Sequence, residues 1–474
     1  MSLPFENSHA DASAAYEPPH PALLPPLAAL ARTIWLGDGD LLSLLPAEAY
    51  RAEACELGYS RRSIKLFNDP ALVREILGDD GSMFPKSDLM VGALEPLIGQ
   101  SMFVTDGPKW RRQRAMIDPA FSMMRLNIAF AAMGAAVDDY ETRLDAAVAA
   151  GAPISLDLAM SHLTADVICR AVFSVSLASD IAKEVFEDFT VFERGVGQVK
   201  VWRLIVDPAW KSIRQDDAVL AACARIRNHI GSLIDTHRGD GVSRYNDIAS
   251  AVIAARDETT GEPFSRDELI DQLGVFFLAG HETTASALTW AFYILSERPE
   301  IAARLRAEVH EVAGDGPISF DAVKKLAFTR SVFRETMRLY PPLTFLPRVA
   351  MRSGAVGRYK LRRGALVMIS PWTLHRHRKY WTDPNRFDPD RFSPEREREI
   401  TPGAYIPFGA GPHTCVGAGF ALVEAVLIIA RLMRRFSFKA QGDAPARPAA
   451  RMTTRPAREV FVSVRRHQEP ASAV

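Results

Sequence analysis

The stretch PFGAGPHTCVGAGFALVEA, Pro407–Ala425, places one cysteine between two glycine pairs at the start of an apolar helix. Cys415 could be buried filler, half of a disulfide, a nucleophile, a zinc ligand or a ligand to another metal. A helix that begins at about Cys415 would point its free N–H groups at the sulfur and favour the thiolate. The glycines predict a loop whose backbone comes close to something bulky and flat.

The rest of the chain narrows these alternatives. The other cysteines, Cys55, Cys169 and Cys223, form no C-x-x-C pattern, so neither a disulfide framework nor a zinc cluster is indicated. Thr414 stands where a dinucleotide fingerprint needs its third glycine. His413 on the same loop is no evidence for a nucleophile and base. A haem needs only one cysteine ligand, but on this stretch alone a structural cysteine on a glycine-rich turn stays open.

Composition describes an ordinary globular chain of 474 residues, 48% hydrophobic and 24% charged. Lysine plus arginine equals aspartate plus glutamate at 57 each, so no net field recruits nucleic acid or an anionic membrane. The first 26 residues contain no apolar run of the kind that a signal peptide or membrane anchor requires. These features predict a reduced, cytoplasmic protein with no nucleic-acid partner and no membrane anchor.

The pattern of apolar residues predicts a mainly α fold with a small β-sheet region. Residues 1–30 form an extended, proline-rich lead-in, and residues 31–474 form one large domain without internal repeats. Strands are predicted at 359–372, around a Gly364 turn, and at 458–466.

The longest predicted helix crosses the core. It begins after Ser265, which forms a capping box with Glu268, and it ends before Pro299. Two further helices follow, one that stops near Gly314 and one that stops at Pro341.

The cysteine loop resembles the haem-binding signature of the cytochrome P-450 family, F-x-x-G-x-x-x-C-x-G. Phe408, Gly411, Cys415 and Gly417 meet the signature, and His413 occupies its basic position two residues before the cysteine. The resemblance implies a single large P-450 fold and a haem b cofactor (iron protoporphyrin IX) whose iron binds Cys415. It implies cofactor contacts by the loop residues Pro407, Phe408, Gly409, His413, Cys415 and Gly417.

The middle of the long helix, AGHETT at Ala279–Thr284, resembles the oxygen-activation segment of the same family. Burying an acid and two hydroxyls without partners costs free energy, so these residues have a use unless they lie on a wet face. Gly280 would let dioxygen lie against the backbone, and Thr283 can hydrogen-bond an i−4 carbonyl. The resemblance implies that Glu282 and Thr283 are catalytic, the acid relaying protons and the threonine stabilising activated oxygen. It also places Ala279 against the haem.

The motif ETMR, Glu335–Arg338, matches the family's E-x-x-R, whose two charges share one helix face. On its own the pair reads equally as a surface salt bridge. With Arg391 in PDRF, the resemblance implies a structural triad that holds the core on the haem side.

The motif WRRQR, Trp110–Arg114, resembles the family's W-x-x-x-R, in which Trp110 and Arg114 donate to haem propionates. Arginine suits this role because its guanidinium is planar and always charged. The family commonly has histidine just before the tryptophan, and here that residue is Lys109. Arg348 and His413 are implied as further propionate contacts.

The resemblance covers about residue 60 to the C-terminus. It implies a monooxygenase that inserts one oxygen atom of O2 into a hydrophobic substrate by hydroxylation or epoxidation. Electrons would come from a separate ferredoxin and its NAD(P)H-dependent ferredoxin reductase, since no flavin or iron-sulfur segment is visible. The alternatives are a peroxide-driven peroxygenase and a non-catalytic haem sensor. The pair Glu282 and Thr283 argues against the first, and the lack of a visible signalling domain argues against the second.

Two surfaces follow from these expectations. The substrate pocket should be lined by the apolar segments 89–99 and 343–346 together with Phe276 and Ala279. Basic residues could form a docking face for an acidic ferredoxin, or could be no more than solvated helix faces. They are Lys109, Arg111, Arg112, Arg431, Arg434 and Arg435.

Overall fold

The computed structural model describes residues 16–36, 40–57, 62–196, 215–241, 244–442 and 444–467. Helices dominate the described chain, as predicted, and the strands form small sheets at its edge. The helices are α1 (Pro26–Leu36), α2 (Pro70–Leu77), α3 (Asp88–Ile98), α4 (Gly107–Ile117), α5 (Met123–Ala150), α6 (Leu156–Phe173), α7 (Asp180–Val196), α8 (Asp217–Gly239), α9 (Ile248–Ala254), α10 (Arg266–Glu297), α11 (Pro299–Ala313), α12 (Phe320–Lys325), α13 (Ala327–Leu339), α14 (Pro371–Leu374) and α15 (Ala418–Arg435).

The strands are short, and most of them lie between helices in the order of the chain. They are β1 (Ala54–Glu56), β2 (Ile64–Phe67), β3 (Ile154–Ser155), β4 (Leu346–Val349), β5 (Gly354–Val356), β6 (Tyr359–Leu361), β7 (Leu366–Ile369), β8 (Phe436–Ala440), β9 (Pro448–Ala450), β10 (Thr454–Pro456) and β11 (Phe461–Arg466). One sheet has the order β1-β2-β7-β4, a second has the order β3-β11-β8, and β5-β6 and β9-β10 are two-stranded.

Helix α10 crosses the core as predicted. The Ser265 hydroxyl accepts from the backbone N–H of Glu268 at 3.1 Å, and the Glu268 carboxylate accepts from the backbone N–H of Ser265 at 2.9 Å, so the capping box is complete. The helix ends at Glu297, two residues before Pro299. Side chains on nearly all of its faces are buried from Leu269 onward. Its acid and hydroxyl side chains therefore lie inside the protein.

The predicted strand region 359–372 divides between two sheets. Gly364 has φ +79°, a left-handed conformation that glycine adopts without strain, and it separates β6 from β7. Strand β6 pairs with β5, whereas β7 lies between β2 and β4, parallel to the first and antiparallel to the second. This sheet holds Arg348 on β4 opposite Val367.

Helix α15 begins at Ala418, three residues later than expected, with Gly417 as its N-cap. The reason lies in the bonds of the preceding loop. The backbone N–H of Cys415 donates to the carbonyl of Phe408 at 3.0 Å, and that of Thr414 donates to Gly411 at 3.1 Å. Since these bonds are not helical, the helix starts only after the cysteine.

The signature glycine Gly411 serves the packing of this loop. It has φ +71°, and a Cβ at this position would lie 2.1 Å from the carbonyl oxygen of Leu77 at the end of α2. Any other residue would therefore clash with the α2 backbone. The sequence predicts that the glycines of this loop admit a flat group, but Gly411 is required by the contact with α2.

The N-terminal lead-in is shorter than predicted. Helix α1 begins at Pro26, so a boundary at residue 30 falls inside a helix. The lead-in is also hydrogen-bonded to the domain. The Tyr340 hydroxyl donates to the carbonyl of Pro19 at 2.6 Å, and the backbone N–H of Phe387 donates to the carbonyl of Tyr16 at 3.0 Å. Residues 1–15 lie outside the described residues.

Glu335, Arg338 and Arg391 come together as the motifs indicated. Arg338 donates to both carboxylate oxygens of Glu335, at 2.6 and 2.8 Å, and Arg391 Nε lies 3.4 Å from the same carboxylate. Glu335 and Arg338 are fully buried, so the alternative of a surface salt bridge is wrong.

No single helix among the described residues is both long and apolar enough to cross a membrane. One pair of helical segments meets the length and composition criteria when the two are taken together. The pair is Gly107–Phe121 with Met123–Ala150, and it is bent by 60° at the break between them.

Candidate functional site

A cavity of about 660 Å³ lies between α10 and the cysteine loop. All of the apolar segments expected to line the pocket contribute to it. The contributing residues include Leu89, Met90, Leu94, Phe276, Ala279, Leu343, Phe345 and Leu346. Pro407, Phe408, Gly409, Cys415 and Gly417 form the opposite wall. A cavity with such walls suits an apolar molecule held against the cysteine loop.

The sulfur of Cys415 is open to the cavity on one side and hydrogen-bonded on the other. Its partner is the backbone N–H of Gly417, the N-cap residue of α15. Burial raises the pKa of the Cys415 thiol overall, and the Gly417 N–H and the positive charge of Arg114 offset this only in part. The expectation that the helix start favours the thiolate is therefore wrong for the protein alone, because the helix begins only after the cysteine. The loop thus presents one cysteine sulfur to the cavity with a backbone donor behind it, an arrangement that suits a sulfur ligand to a metal.

The four residues expected to donate to propionates meet at one edge of the cavity. Trp110 and Arg114 come from α4, Arg348 comes from β4, and His413 comes from the cysteine loop. The rings of Trp110 and His413 lie 4.0 Å apart between centroids. Arg114 donates from Nη1 to the carbonyl of Thr414 at 2.7 Å, which fixes α4 to the loop. Lys109, by contrast, is exposed on α4 and does not line the cavity.

Sequence reasoning missed a fifth polar residue at this edge, Lys86. Its Nζ donates to the carbonyls of Met102 and Thr105 at 2.9 and 2.5 Å, and burial lowers its pKa to about 7. No motif marks this lysine. It reaches the cavity because residue 86 forms a β-bridge with Arg348, 262 positions later in the chain.

Basic side chains predominate at this edge, and the nearby Asp106 carboxylate lies 3.7 Å from Nε2 of His413 and 4.0 Å from Nζ of Lys86. Both ring nitrogens of His413 are buried and lack a hydrogen-bond partner among the described residues. Burial and the nearby charges of Lys86, Arg348 and Arg114 lower the pKa of His413 to about 3, so its ring is neutral and carries one N–H. Unpartnered donors beside two arginines fit a group with carboxylates at this edge. With an apolar cavity and one sulfur ligand, the residues fit a haem.

Thr283 and Ala279 lie on α10 at the cavity wall. The Thr283 hydroxyl donates to the carbonyl of Ala279 at 2.7 Å, the i−4 bond expected from the sequence. This bond directs the hydroxyl oxygen at a fixed position beside the cavity.

Glu282 also borders the cavity, but it is only 1% exposed, so the alternative of a wet helix face is wrong. It forms an ion pair with Arg455 that includes a 3.0 Å bond from Nε, and it accepts a 2.5 Å bond from the Thr453 hydroxyl. Burial alone would raise the pKa of Glu282. The positive charge of Arg455 outweighs the effect of burial, so the pKa of Glu282 is lowered overall. The sequence did not indicate either partner, because both come from the β9–β10 hairpin.

Gly280 lines the cavity, as expected, and it also has a packing role. A Cβ at this position would lie 2.3 Å from Cδ1 of Ile168 on α6. The missing side chain therefore allows α6 and α10 to pack closely at the cavity wall.

A second buried acid lies behind α10. Glu424 on α15 is fully buried, and neither of its carboxyl oxygens has a hydrogen bond of normal geometry within the described chain. Burial raises the pKa of Glu424 well above its usual value, which the neighbouring Thr284 hydroxyl offsets only in part. Burial therefore favours the protonated form of the Glu424 carboxyl group.

The expected basic docking face is largely neutralised by acids. Arg112 pairs with Asp257 at 3.0 Å and with Glu268 at 2.7 Å. Arg431 and Arg435 both pair with Glu141 on α5. Further partners occupy the others: Arg111 bonds Asp80 at 2.8 Å, and Arg434 bonds the carbonyls of Gly314 and Gly316 at 3.2 and 2.8 Å. These arginines mainly connect elements of the fold.

The chain is similar in sequence and in structure to known proteins of one family. The Cytochrome P450 family model matches residues 50–463. Cyclooctatin synthase of Streptomyces melanosporofaciens is 33% identical, over 87% of this chain and 88% of the relative. Pentalenene oxygenase of Streptomyces avermitilis is 30% identical, over 81% and 84%. The crystal structure of the cytochrome P450DA heme domain matches with a TM-score of 0.81 at 24% identity, over 95% of this chain and 97% of that one, which shows the shared fold.

Proposed function

The chain belongs to the cytochrome P450 family and is a haem-dependent oxidoreductase, and from this premise we propose a specific reaction. It inserts one oxygen atom of O2 into an apolar terpenoid, by hydroxylation or epoxidation. The observation that carries this proposal is that the Cys415 sulfur and the Thr283 hydroxyl border one apolar cavity. In this proposal the Cys415 sulfur is the ligand to the haem iron, and the Thr283 hydroxyl takes part in the proton transfer that oxygen activation requires.

The cofactor of this proposal is haem b. Cys415 is the ligand to its iron, and Trp110, Arg114, Arg348 and His413 are donors to its two propionates. Lys86 adds a donor at the same edge. The chemistry that the haem supplies when bound is the reductive activation of dioxygen.

The protein's own contribution is to hold protons and to exclude water. The Thr283 hydroxyl, held by the carbonyl of Ala279, is a fixed donor and acceptor at the cavity wall. Glu282, one residue earlier on α10, holds and releases a proton that reaches this hydroxyl. The apolar walls formed by Phe276, Leu343 and their neighbours keep bulk water away and position the substrate by shape.

A terpenoid is proposed because two observations agree. The cavity side chains from α3, α10 and the segment 343–346 are apolar, so no charged substrate group is required. The relatives named cyclooctatin synthase, cyclooctat-9-en-7-ol 5-monooxygenase and pentalenene oxygenase are bacterial terpene oxygenases.

The proposed electron donors are a ferredoxin and its NAD(P)H-dependent ferredoxin reductase, and the proposed location is the cytoplasm, both as the resemblance to bacterial members implies. Because Arg112, Arg431 and Arg435 of the expected docking face are paired with acids, their charge supports ferredoxin docking only weakly. A peroxide-driven reaction is the alternative that an experiment must separate.

The test has two steps. Cyclic terpenes, linear fatty acids and aromatic compounds are screened for a spin-state shift of the Soret band, and each compound that binds is incubated with ferredoxin, reductase and NAD(P)H, or with hydrogen peroxide alone. The proposal expects the strongest shifts from cyclic terpenes and oxygenated product with the ferredoxin system. Product formed only with peroxide, or no shift with any terpene, contradicts it.

A further inference from the structure

A second, much smaller cavity of about 10 Å³ lies between the N-terminal lead-in and the segment that follows α14. It shares no lining residue with the large cavity beside the cysteine loop. Its volume gives room for one particle of about the size of a water molecule. Among the described residues its walls include two arginines and no acid. They are formed by His20, Leu23, Tyr50, Trp372, Arg376, Arg378, Pro384 and Asn385.

Arg376 brings a buried positive charge to this cavity without a counterion. The residue is 3% exposed, and its Nε is buried and has no hydrogen-bond partner within the described chain. Its guanidinium carbon lies 3.7 Å from the ring centroid of Trp372. Such a cation–π contact offsets only part of the cost of taking a charge out of water. Glu335 lies within electrostatic range, but its carboxylate is already paired with two other arginines.

The charge of Arg376 persists at physiological pH. Burial lowers its pKa to about 9, which leaves the guanidinium protonated under these conditions. The cavity therefore has a permanent positive charge in its wall, and no described carboxylate compensates it.

Tyr50 adds a second donor without an acceptor. Its hydroxyl accepts from Nε1 of Trp372 at 2.9 Å, so its own O–H is directed elsewhere. Burial raises the pKa of Tyr50, so the hydroxyl keeps its proton. The bond from Trp372 is the one hydrogen bond that this hydroxyl makes to the described residues. Two donors in the wall of one small cavity are thus unsatisfied by the protein.

Charge favours an anion over a water molecule as the occupant of this cavity. A water could accept from both donors, but it would leave the charge of Arg376 uncompensated. The exposed Arg378 in the same wall adds a second positive charge. The acid Glu17 lies 3.9 Å from Nε2 of His20 and is not part of the wall. The small volume admits a single monatomic ion and is too small for phosphate or a carboxylate ligand.

We propose that this cavity binds one chloride ion, which accepts hydrogen bonds from the guanidinium of Arg376 and the hydroxyl of Tyr50. The ion lies beneath the lead-in, because His20 and Leu23 line the same cavity. It therefore connects the lead-in to the segment after α14. Since the unfolded chain has no such cavity, chloride binds the folded protein preferentially and stabilises it. The site is separate from the haem and from the reaction proposed above.

Anomalous diffraction locates the ion. Crystals of the haem protein are soaked in sodium bromide, because bromide has the charge of chloride and scatters anomalously. The wild type is expected to show an anomalous peak in the cavity beside Arg376 and Tyr50, and Arg376→Gln is expected to lose it. Arg306→Gln is the matched control, because Arg306 also has a buried guanidinium nitrogen without a partner but lines neither cavity. A wild-type crystal with a water and no bromide in the cavity overturns the inference.

Stability in solution tests binding outside the crystal. Urea unfolding of the haem protein is measured in sodium chloride and in sodium gluconate at equal ionic strength, so that general screening is the same. The wild-type midpoint should be higher in chloride and should rise with chloride concentration. The chloride affinity derived from this rise should fall on the order of tenfold or more in Arg376→Gln, since a charged hydrogen bond is lost. Arg306→Gln should keep the wild-type affinity.

Tyr50→Phe keeps the proposal testable if Arg376→Gln does not fold. This variant retains the ring and the charge of Arg376 and removes one donor, so its chloride affinity should lie below that of the wild type. Equal midpoints in chloride and gluconate for the wild type, including the case of bromide bound at crystal concentration only, overturn the inference. An unchanged affinity in Tyr50→Phe or Arg376→Gln also overturns it. None of these measurements needs a substrate, so they stand apart from the test of the proposed function.

Discussion

Arg338 and Glu335 form a two-point ion pair one turn apart on α13, and both side chains are completely buried. Arg338 also donates to the carbonyls of His375, Pro384 and Arg386, at 2.9, 2.6 and 2.9 Å. The pair therefore fixes the segment after α14, where Arg391 lies, against the core. This arrangement gives the pair a structural role.

Removal of one member should be costly. Glu335→Ala leaves the Arg338 charge buried without its counterion, which is expected to lower the free energy of unfolding by about 3–5 kcal/mol. The control is Glu397→Ala, because Glu397 is the half-exposed partner of Arg334 and should cost less than about 1 kcal/mol. Urea unfolding followed by circular dichroism measures both. Equal losses in the two variants would contradict the structural role.

Cys415→Ser should remove the thiolate ligand. The carbon monoxide complex of the reduced protein is then expected to lose the red-shifted Soret band typical of haem-thiolate proteins. Cys223→Ala, at a buried cysteine far from the cysteine loop in sequence, should keep the band. An unchanged band in Cys415→Ser would refute the ligand assignment.

Thr283→Ala removes the hydroxyl held by the carbonyl of Ala279. Peroxide release relative to product should rise on the order of tenfold, since a proton-transfer group at the cavity is lost. Thr289→Ala is the matched control, because Thr289 makes the same i−4 bond to Ala285 at 2.8 Å on the same helix but does not line the cavity. Thr283→Ser should restore coupling. Similar peroxide release in the Thr283→Ala and Thr289→Ala variants would remove Thr283 from the proton path.

Gly280→Ala should clash with Ile168, and overpacking of this kind costs about 1–3 kcal/mol. Ile168→Ala alone leaves a cavity and costs about 2–5 kcal/mol. The double variant should be more stable than the sum of the two losses predicts, by about 0.5–3 kcal/mol, because the added methyl group occupies part of the vacated space. Strict additivity in a denaturant double-mutant cycle would show that the two residues do not meet.

The buried pair His237 and Asp247 should make stability depend on pH. Their side chains are hydrogen-bonded at 2.9 Å. Burial alone would lower the pKa of His237, but the hydrogen bond to Asp247 raises this pKa overall. Burial alone would raise the pKa of Asp247, but the hydrogen bonds from His237, Ser174 and Ser250 lower it overall.

The sign of each contribution follows from these shifts. The His237 contribution is complete below about pH 6.5 and is lost as pH rises through its folded-state pKa, whereas the Asp247 contribution is complete above about pH 4 and is lost as pH falls. The stability difference between wild type and His237→Gln should therefore be largest at about pH 4–6.5 and should shrink towards pH 9. Urea unfolding at a series of pH values measures it. A difference that stays constant from pH 5 to 9 would contradict the ion pair.

Local sequence patterns predicted those features that short-range physics controls. Ser265 and Glu268 are three residues apart, so their capping box and the helix that follows could be found from the sequence. The same holds for the Thr283 bond to its own helix and for Glu335 with Arg338.

Features that depend on distant segments were missed. Nothing in the sequence indicates that Arg455 and Thr453 pair with Glu282, because the β9–β10 hairpin that contains both residues has no recognisable motif. The ion pair of Arg112 with Glu268 could not be predicted for the same reason, since the two residues lie 156 positions apart. The contact of Gly280 with Ile168 could not be predicted, because the neighbouring helix that supplies Ile168 cannot be located from the sequence.

The distance along the chain between Glu282 and its partners also orders events during synthesis. Thr453 and Arg455 are translated 171 and 173 residues after Glu282, so α10 leaves the ribosome long before the groups that neutralise its acid exist. Until then, burial of Glu282 is opposed by the cost of desolvating an unpaired carboxylate. We therefore expect the cavity to close late, after the hairpin has emerged, which leaves the newly made protein open to its cofactor while the rest of the helical core is already assembling.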